Sequence, residues 1–312
     1  MSKFDLIISK PERRSIDQLR RLQALPLEQK INLTKRRIDQ FVREMNGKIY
    51  VSFSGGKDSL VLLYIVRSIF PEAIGVFCDT GLELPEIREF IKTIPNIEWI
   101  KPDMPFTEVI RKYGYPLPSK DIAQKVSEAR TTNSKKLYEK RMGKGSYAIS
   151  DRWKFLVDAP FDVTSNCCNV MKKNPFKKYE KKTGLNPIMG VMASESNQRT
   201  LSWIRTGCNA FDTKRPNSKP MSFWDDSDVW EYIKTRGLKY SKAYDMGYYR
   251  TGCTFCLFGY WHKDVRPKHG FTMLEKTHPH LHKYCMDNLG MREVIRYVDA
   301  KLNNGQLDLF DS

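Results

Sequence analysis

One segment, Ile49-Tyr-Val-Ser-Phe-Ser-Gly-Gly-Lys-Asp-Ser-Leu60, limits the folds open to this chain more than any other. Ile49, Val51 and Phe53 alternate as a short strand does, and residues 60–66 are apolar enough for a packed helix. The six residues between, 54–59, predict a tight loop joining that strand directly to that helix. Such a loop brings successive backbone N–H groups and a helix N-terminus to one point, which makes a cradle for phosphate. Gly55 and Gly56 allow close backbone approach, Lys57 supplies a mobile positive charge, and Ser54 and Ser59 supply hydroxyls. Asp58 would repel phosphate unless it bound Mg²⁺ or organised the loop, so it points to metal-assisted chemistry. The spacing is not that of a Walker A loop.

The same rhythm continues. Residues 74–78 and 97–100 read as strands, and 84–94 and 106–113 as helices, so the expected fold is α/β, a mostly parallel sheet with helices on both faces. Residues 1–47 read as a helical N-terminal cap: Ser15 with Gln18 forms a capping-box pattern, Pro26 opens a second helix, and Gly47 stops it. The catalytic domain is expected over 48–240, interrupted by a basic insert at 115–186. The apolar stretch 187–192 returns to the sheet, and Asp225, Asp226 and Asp228 open a helix through Lys234 that Gly237 stops. Residues 241–312 are expected to form a small Cys-rich segment with one or two helices and a polar tail.

Charge narrows the partners. Lys and Arg number 53 against 36 Asp and Glu, a formal net charge of +17, which favours a polyanion. One basic run carries Arg130, Lys135, Lys136, Lys140, Arg141 and Lys144, and another Lys172, Lys173, Lys177, Lys178, Lys181 and Lys182. Either could be a solvated helix face. Their proximity in sequence to Tyr138, Tyr147, Trp153 and Tyr179 raises the case for nucleic acid. No apolar run approaches the ~20 residues that span a bilayer, and the N-terminus lacks a secretion signal, so no membrane partner and a cytoplasmic location are expected.

Seven cysteines in such a chain argue for metal or catalytic chemistry rather than disulfides. Cys167-Cys168 and Cys253-x-x-Cys256 could hold tetrahedral zinc or an iron–sulfur cluster. Adjacent side chains diverge and rarely reach one small ion together, whereas a cubane spreads its irons widely enough to accept such a pair. Of the remainder, Cys78 reads as a small buried hydrophobe. Cys208, after Gly207 and near Arg205, is a candidate for a lowered pKa and sulfur handling. Cys285 lies near His278, His280 and His282, a cluster open to metal binding but read first as a solvated helix start.

Ser54-Gly-Gly-Lys-Asp-Ser59 resembles the PP-loop of the ATP pyrophosphatases, the adenine-nucleotide alpha-hydrolase-like fold whose members split ATP between its α- and β-phosphates. Val76-Phe-Cys-Asp-Thr-Gly81 resembles the adenosine-reading motif of the phosphoadenosine phosphosulfate (PAPS) reductase family, which assigns Asp79 and Thr80 to nucleotide binding. Gly190-Val-Met-Ala-Ser-Glu-Ser-Asn-Gln-Arg199 resembles that family's phosphate segment. By that likeness Gly190, Ser196 and Arg199 bind nucleotide, with Met192 replacing the family's first Arg. Residues 220–230 through Tyr248 match its next helix and turn, and the Cys-Cys…Cys-x-x-Cys arrangement, with Lys172 and Pro175, resembles the [4Fe–4S] site of adenylylsulfate reductases.

Within that family the intact loop implies ATP cleavage, and no Glu-Cys-Gly-Leu-His nucleophile run of the reductases follows Cys285. The chain therefore looks more like the DNA phosphorothioation sulfurtransferases. The implied activity is ATP-dependent, AMP- and pyrophosphate-forming sulfur insertion into nucleic acid, DNA before RNA. Lys57, Asp58, Arg199 and Cys208 are its candidate catalytic residues, with ATP, Mg²⁺ and a [4Fe–4S] cluster as cofactors. A cysteine desulfurase or another sulfur donor is the expected partner. The alternatives are a PAPS or adenylylsulfate reductase-like enzyme using an external thiol, and a non-catalytic nucleic-acid-binding module. Gln306-Leu-Asp-Leu-Phe310 resembles the peptide by which bacterial proteins hold the sliding clamp, and the polar stretch Asn303-Asn-Gly305 predicts that the chain leaves its last helix there.

Overall fold

The computed structural model describes residues 14–307, with side chains described through 303. In chain order its elements are helices α1 (Ile16–Gln23) and α2 (Leu27–Glu44), strand β1 (Ile49–Phe53), α3 (Lys57–Arg67), β2 (Gly75–Cys78), α4 (Pro85–Lys92) and β3 (Ile97–Ile100). Helices α5 (Phe106–Tyr113), α6 (Lys120–Thr131), α7 (Lys135–Met142) and α8 (Asn174–Thr183) follow, then β4 (Asn186–Met189), α9 (Asn197–Thr206), β5 (Asn209–Ala210) and β6 (Asn217–Ser218). The chain ends on α10 (Asp226–Thr235), α11 (Gly270–Thr277), α12 (Pro279–Asn288) and α13 (Met291–Leu307). No described helix is long and apolar enough to cross a membrane.

The six strands form one sheet in the order β3-β2-β1-β4-β6-β5. β1 pairs in parallel with β2 (Val51 opposite Gly75) and with β4 (Ile49 opposite Asn186), β4 pairs in parallel with β6, and only β5 with β6 is antiparallel. Tyr50, Val51 and Phe53 in the central strand are all buried, as expected of a strand covered on both faces. This is the α/β fold the sequence predicts.

Two compact units divide the chain, each assembled from three segments. The first holds 1–77, 90–98 and 180–241; the second holds 78–89, 99–179 and 242–312. In the first, Ser15 caps α1 through the predicted box with Gln18, and α2 packs on α3 and α10. Lys30 of α2 is buried against Asp228 of α10 at 2.6 and 2.8 Å, and the Trp224 indole N–H donates to Thr34 at 2.9 Å. A buried charge needs such a partner, because leaving either half unpaired would cost several kcal/mol (about 3–5). In the second unit α11, α12 and α13 pack in sequence, and a 3₁₀ segment, Asp151–Asp158, lies against α6 and α13.

Three expectations need correction. The region after 241 carries three α-helices rather than one or two, because His278 and Pro279 break α11 from α12. The last helix does not stop at 303–305 but continues through Gly305 to Leu307, since a single glycine costs only about 1 kcal/mol in a helix interior. Helix α3 starts at Lys57, three residues ahead of the apolar run, because Gly56 is its N-cap and carries no side chain to announce it. Leu309 and Phe310, with the side chains of Gln306 and Leu307, lie outside the described residues.

Candidate functional site

In the first unit the predicted loop is closed by its own serines. The Ser54 and Ser59 hydroxyls stand 3.0 Å apart, the backbone N–H of Ser54 donates to Ser59 Oγ at 3.1 Å, and that of Gly56 donates to Ser54 Oγ at 3.3 Å. Ser59 in turn donates to the Gly56 carbonyl at 2.9 Å. Gly55 takes φ +72°, the left-handed conformation that makes the sharp turn possible. Gly56 caps α3 with no side-chain acceptor, so the first-turn N–H groups of the helix receive no cap there.

Lys57 is 5% exposed, and its ammonium lies 2.7 Å from Asp58 Oδ1 and in ion-pair contact with Asp226, the first residue of α10. Burial works against its charge, but Asp58 and then Asp226 outweigh it and hold the lysine above its ordinary pKa. Gly190, just past β4, packs on the same loop: a Cβ there would stand 2.9 Å from the Asp58 carbonyl oxygen and 3.1 Å from Ser59 N. Only glycine lets these two pieces of backbone meet. After Gly190 the chain turns into α9, where Ser196 caps the helix and Arg199 pairs with Glu195. The structure thus joins Ser54, Gly55, Gly56, Lys57, Asp58, Ser59 and Gly190 around one loop. The sequence reading missed Asp226 as a partner of Lys57, for in sequence it looks like a helix-start acid and nothing more.

Cys208, also in the first unit, corrects an expectation. Its thiol is buried beside a cavity of about 180 Å³ lined by Arg14, Arg37 and Trp203. Burial pushes its pKa up rather than down, and the nearby arginines only moderate the rise.

The second unit holds the other predicted set. Asp79 and Thr80 are buried in a turn in which Arg88 pairs with Asp79 at 2.8 Å and the Thr80 hydroxyl donates to Glu83 at 2.6 Å. Thr254, inside the Cys-x-x-Cys segment, ties to that turn by donating backbone N–H and hydroxyl to the Leu82 carbonyl, both at 2.9 Å. Cys167, Cys168, Cys253 and Cys256 all line one cavity of about 200 Å³, walled by Leu82, Phe106, Pro116 and Met171 and bordered by Lys172. The Cys167 thiol donates to Cys168 across 4.0 Å, and that contact more than offsets burial, holding the Cys168 thiol below its ordinary pKa. Burial pushes Cys256 up to about 12, while the Cys253 sulfur holds Lys172 protonated in spite of burial. Among the described residues no three Cys, His, Asp or Glu side chains converge tightly enough to hold a single ion, the imidazoles beside Cys285 included. His278 is used otherwise, 3.1 Å from Glu86 and 2.9 Å from the Thr277 hydroxyl. Cys78 is the buried small side chain expected, its thiol 3.3 Å from the Met171 carbonyl.

The basic runs are less free than their sequence implies. Arg130 bonds the Phe161 carbonyl and pairs with Asp162, Arg141 pairs with Glu128, and Lys178 reaches Asp103 at 2.7 Å. Lys177, Lys181 and Lys182 on α8 are exposed.

The model of the phosphoadenosine phosphosulfate reductase domain matches residues 48–257, about two thirds of the chain. Two uncharacterised proteins of Methanocaldococcus jannaschii are 29% and 27% identical to this chain over 67% and 74% of its length. The matched regions cover 36% and 46% of those proteins, so the chain spans less than half the length of either. An adenosine 5′-phosphosulfate reductase of Bacillus subtilis is 25% identical over 72% of this chain and 83% of its own. With the loop, the turn and the cysteines all inside the matched region, the chain belongs to the phosphoadenosine phosphosulfate reductase domain family.

Proposed function

We propose that this chain cleaves ATP to AMP and pyrophosphate and uses the activated acceptor to insert sulfur into nucleic acid, DNA in the first instance. The observation that carries the reading is the Lys57 ammonium seated between Asp58 and Asp226 at the mouth of an uncapped helix N-terminus. An oxygen of the acceptor attacks the α-phosphorus, the bond to the β-phosphate oxygen breaks, and pyrophosphate leaves with Lys57 and the α3 N–H groups neutralising its charge. Sulfide-level sulfur then attacks the adenylated centre, the bond to the AMP oxygen breaks, and no net redox change is needed. Asp58 and Asp226 are the carboxylates that would hold Mg²⁺, which would supply charge neutralisation for a polyphosphate. Arg199, in the first turn of α9, supplies a further positive charge for phosphate.

The four cysteines line one cavity, and an adjacent pair such as Cys167 and Cys168 suits a multi-iron cluster better than zinc. A [4Fe–4S] group there would hold sulfur at a site from which it can be delivered, and Lys172 would offset the charge of its thiolates. A sulfur donor such as a cysteine desulfurase would supply it as a persulfide, and a thiol reductant would give the two electrons that bring that sulfur to the sulfide level.

The test is nucleotide chemistry with purified protein, DNA acceptor, Mg²⁺ and sulfide, followed by mass spectrometry of the digested DNA. AMP, pyrophosphate and a sulfur-for-oxygen mass change are expected, all lost in Asp58→Asn. The names of the relatives favour a second reading, reduction of adenylyl sulfate with an external thiol. Sulfite release from that substrate without ATP, and no AMP from ATP, would establish it instead.

A further inference from the structure

The second unit carries a cavity of about 890 Å³ that neither the nucleotide loop nor the cysteines use. Its size lies toward the upper end of ligand pockets, about 300–1,000 Å³. Aromatic rings form much of its wall: Phe155 from the 3₁₀ segment, and Tyr260 and Trp261 after the Cys-x-x-Cys, these two edge to face with centroids 5.0 Å apart. Trp261 is fixed by its indole N–H, which donates to Asp299 of α13 at 2.7 Å.

The charges at the rim are unequal in their engagement. Both acids are already paired, Asp299 with Arg266 at 2.8 Å and Asp151 with Lys154 at 2.6 Å. Arg266 is also laid over the Tyr260 ring at 4.6 Å. By contrast Arg152, Lys263 and Lys301 are exposed and in no carboxylate pair among the described residues, although Arg152 donates to the Trp261 carbonyl at 3.4 Å and lies 5.2 Å from the Trp153 ring, and Lys301 stands 5.9 Å from the Tyr297 ring. A buried hydroxyl oxygen in the wall, Thr272 Oγ1, has no hydrogen-bond partner.

An aromatic wall in which the Phe155 ring is half-buried, with exposed cations in no carboxylate pair around it, is complementary to a base with its phosphates. An acidic peptide would use the cations but not the rings. We propose that this cavity holds an unpaired nucleotide of a nucleic-acid strand, its base against Phe155 and beside the edges of Tyr260 and Trp261, and its phosphates on Arg152, Lys263 and Lys301. The proposal rests on the nucleic-acid reading above and names the form of strand that reading requires.

The test uses the full-length protein and a fluorescein-labelled oligothymidylate carrying one photoreactive iodouracil, with affinity followed by anisotropy over a salt series. Crosslinks are expected on Phe155, Tyr260 or Trp261. Lys263→Ala with Lys301→Ala should make the log–log salt slope shallower by about 1.4, from two lost phosphate contacts at ~0.7 each on a single strand. Crosslinks confined to other peptides, or an unchanged slope in the double variant, overturn the proposal. So does displacement of the oligomer by thymidine monophosphate or by polyglutamate at equal charge concentration, which would reassign the cavity to free nucleotides or acidic chains. Protein that crosslinks in the cavity yet never places sulfur in DNA would overturn the sulfur-transfer reading alone. Protein that transfers sulfur while crosslinking elsewhere would overturn this one alone.

Discussion

Gly190→Ala probes the phosphate loop without touching any charge in it. The added Cβ would lie 2.9 Å from the Asp58 carbonyl oxygen, 3.0 Å from its carbon and 3.1 Å from Ser59 N. All three neighbours are backbone, so no rotamer change relieves the clash. Reaching an ordinary 3.4 Å contact from 2.9 Å requires the loop and the β4 exit to part by 0.5 Å. Overpacking of this kind costs about 1–3 kcal/mol of stability. A displacement of about 1 Å at a reacting group can cost ~10²-fold, so half of that predicts roughly a tenfold loss in the rate of pyrophosphate release. Gly184→Ala is the control. Gly184 has φ +71° and nothing within 4 Å of its missing Cβ, so alanine there costs about 1–2 kcal/mol of backbone strain and leaves the loop in place. Urea unfolding and a coupled pyrophosphate assay on both variants separate the two effects. Equal pyrophosphate release by Gly190→Ala and Gly184→Ala would refute the close-approach argument, whatever their stabilities.

Other perturbations address the second unit and the charged surface. His269 accepts the Phe271 N–H at 3.2 Å, capping α11, and lies 3.1 Å from the Phe258 carbonyl; burial lowers its pKa from 6.5. The unfolded chain therefore takes up the proton more readily, so this contribution is complete above about pH 6.5 and is lost as pH falls toward the folded value. His269→Asn keeps a cap but cannot titrate there, and should lose less stability between neutral and mildly acidic pH; identical losses would contradict the assignment. Anaerobically prepared protein should contain about four irons, and Cys167→Ser or Cys256→Ser should remove them; stoichiometric zinc in the wild type would oppose the cluster. Replacing Lys177, Lys178, Lys181 and Lys182 with Ala should flatten the salt dependence of duplex binding by up to about 3.6, at ~0.9 per phosphate contact, and an unchanged slope would move the duplex face elsewhere.

What the sequence made legible was local. The strand 97–100 and the helix 106–113 coincide with the predicted spans, and the caps at Ser15 and Asp225 use side chains within three residues of their targets. These signals survive because the hydrogen bonds that create them close within one helical turn. The Lys57–Asp226 pair joins residues that only the fold brings together, so no spacing rule exposes it. The same limit misreads charge: Arg130 and Arg141 look like free cations in a run, yet each is tied to a carboxylate that sequence proximity does not suggest. For Cys208, the sequence neighbour Arg205 argues for a low pKa; the arginines that do act on it, Arg37 and Arg14, and the burial that overrides them are visible only once α2 and α9 pack beside it. Nor does any local signal mark where one compact unit hands the chain to the other, since the crossing at 77/78 falls inside β2.

The charge arrangement at Lys57 bears on which nucleotide the first unit is built for. One buried ammonium and two carboxylates leave the loop mouth with a surplus of negative charge, which by itself repels a nucleotide phosphate. Under the proposed function, Asp58 and Asp226 would hold Mg²⁺ brought with a polyphosphate, and the Lys57 ammonium would then serve phosphate oxygens. The lysine, nearly buried, would not need to be desolvated again. Adenylyl sulfate brings no polyphosphate to chelate the metal, so it would meet the same two carboxylates with much weaker compensation. Asp226 is 67% exposed on its side chain and free to turn toward a metal, whereas a purely structural partner for a buried lysine would itself be buried, as Asp228 is for Lys30. The contrast between these two pairs in the same unit, one sealed and one open, supports the proposal that this loop takes ATP rather than a sulfonucleotide.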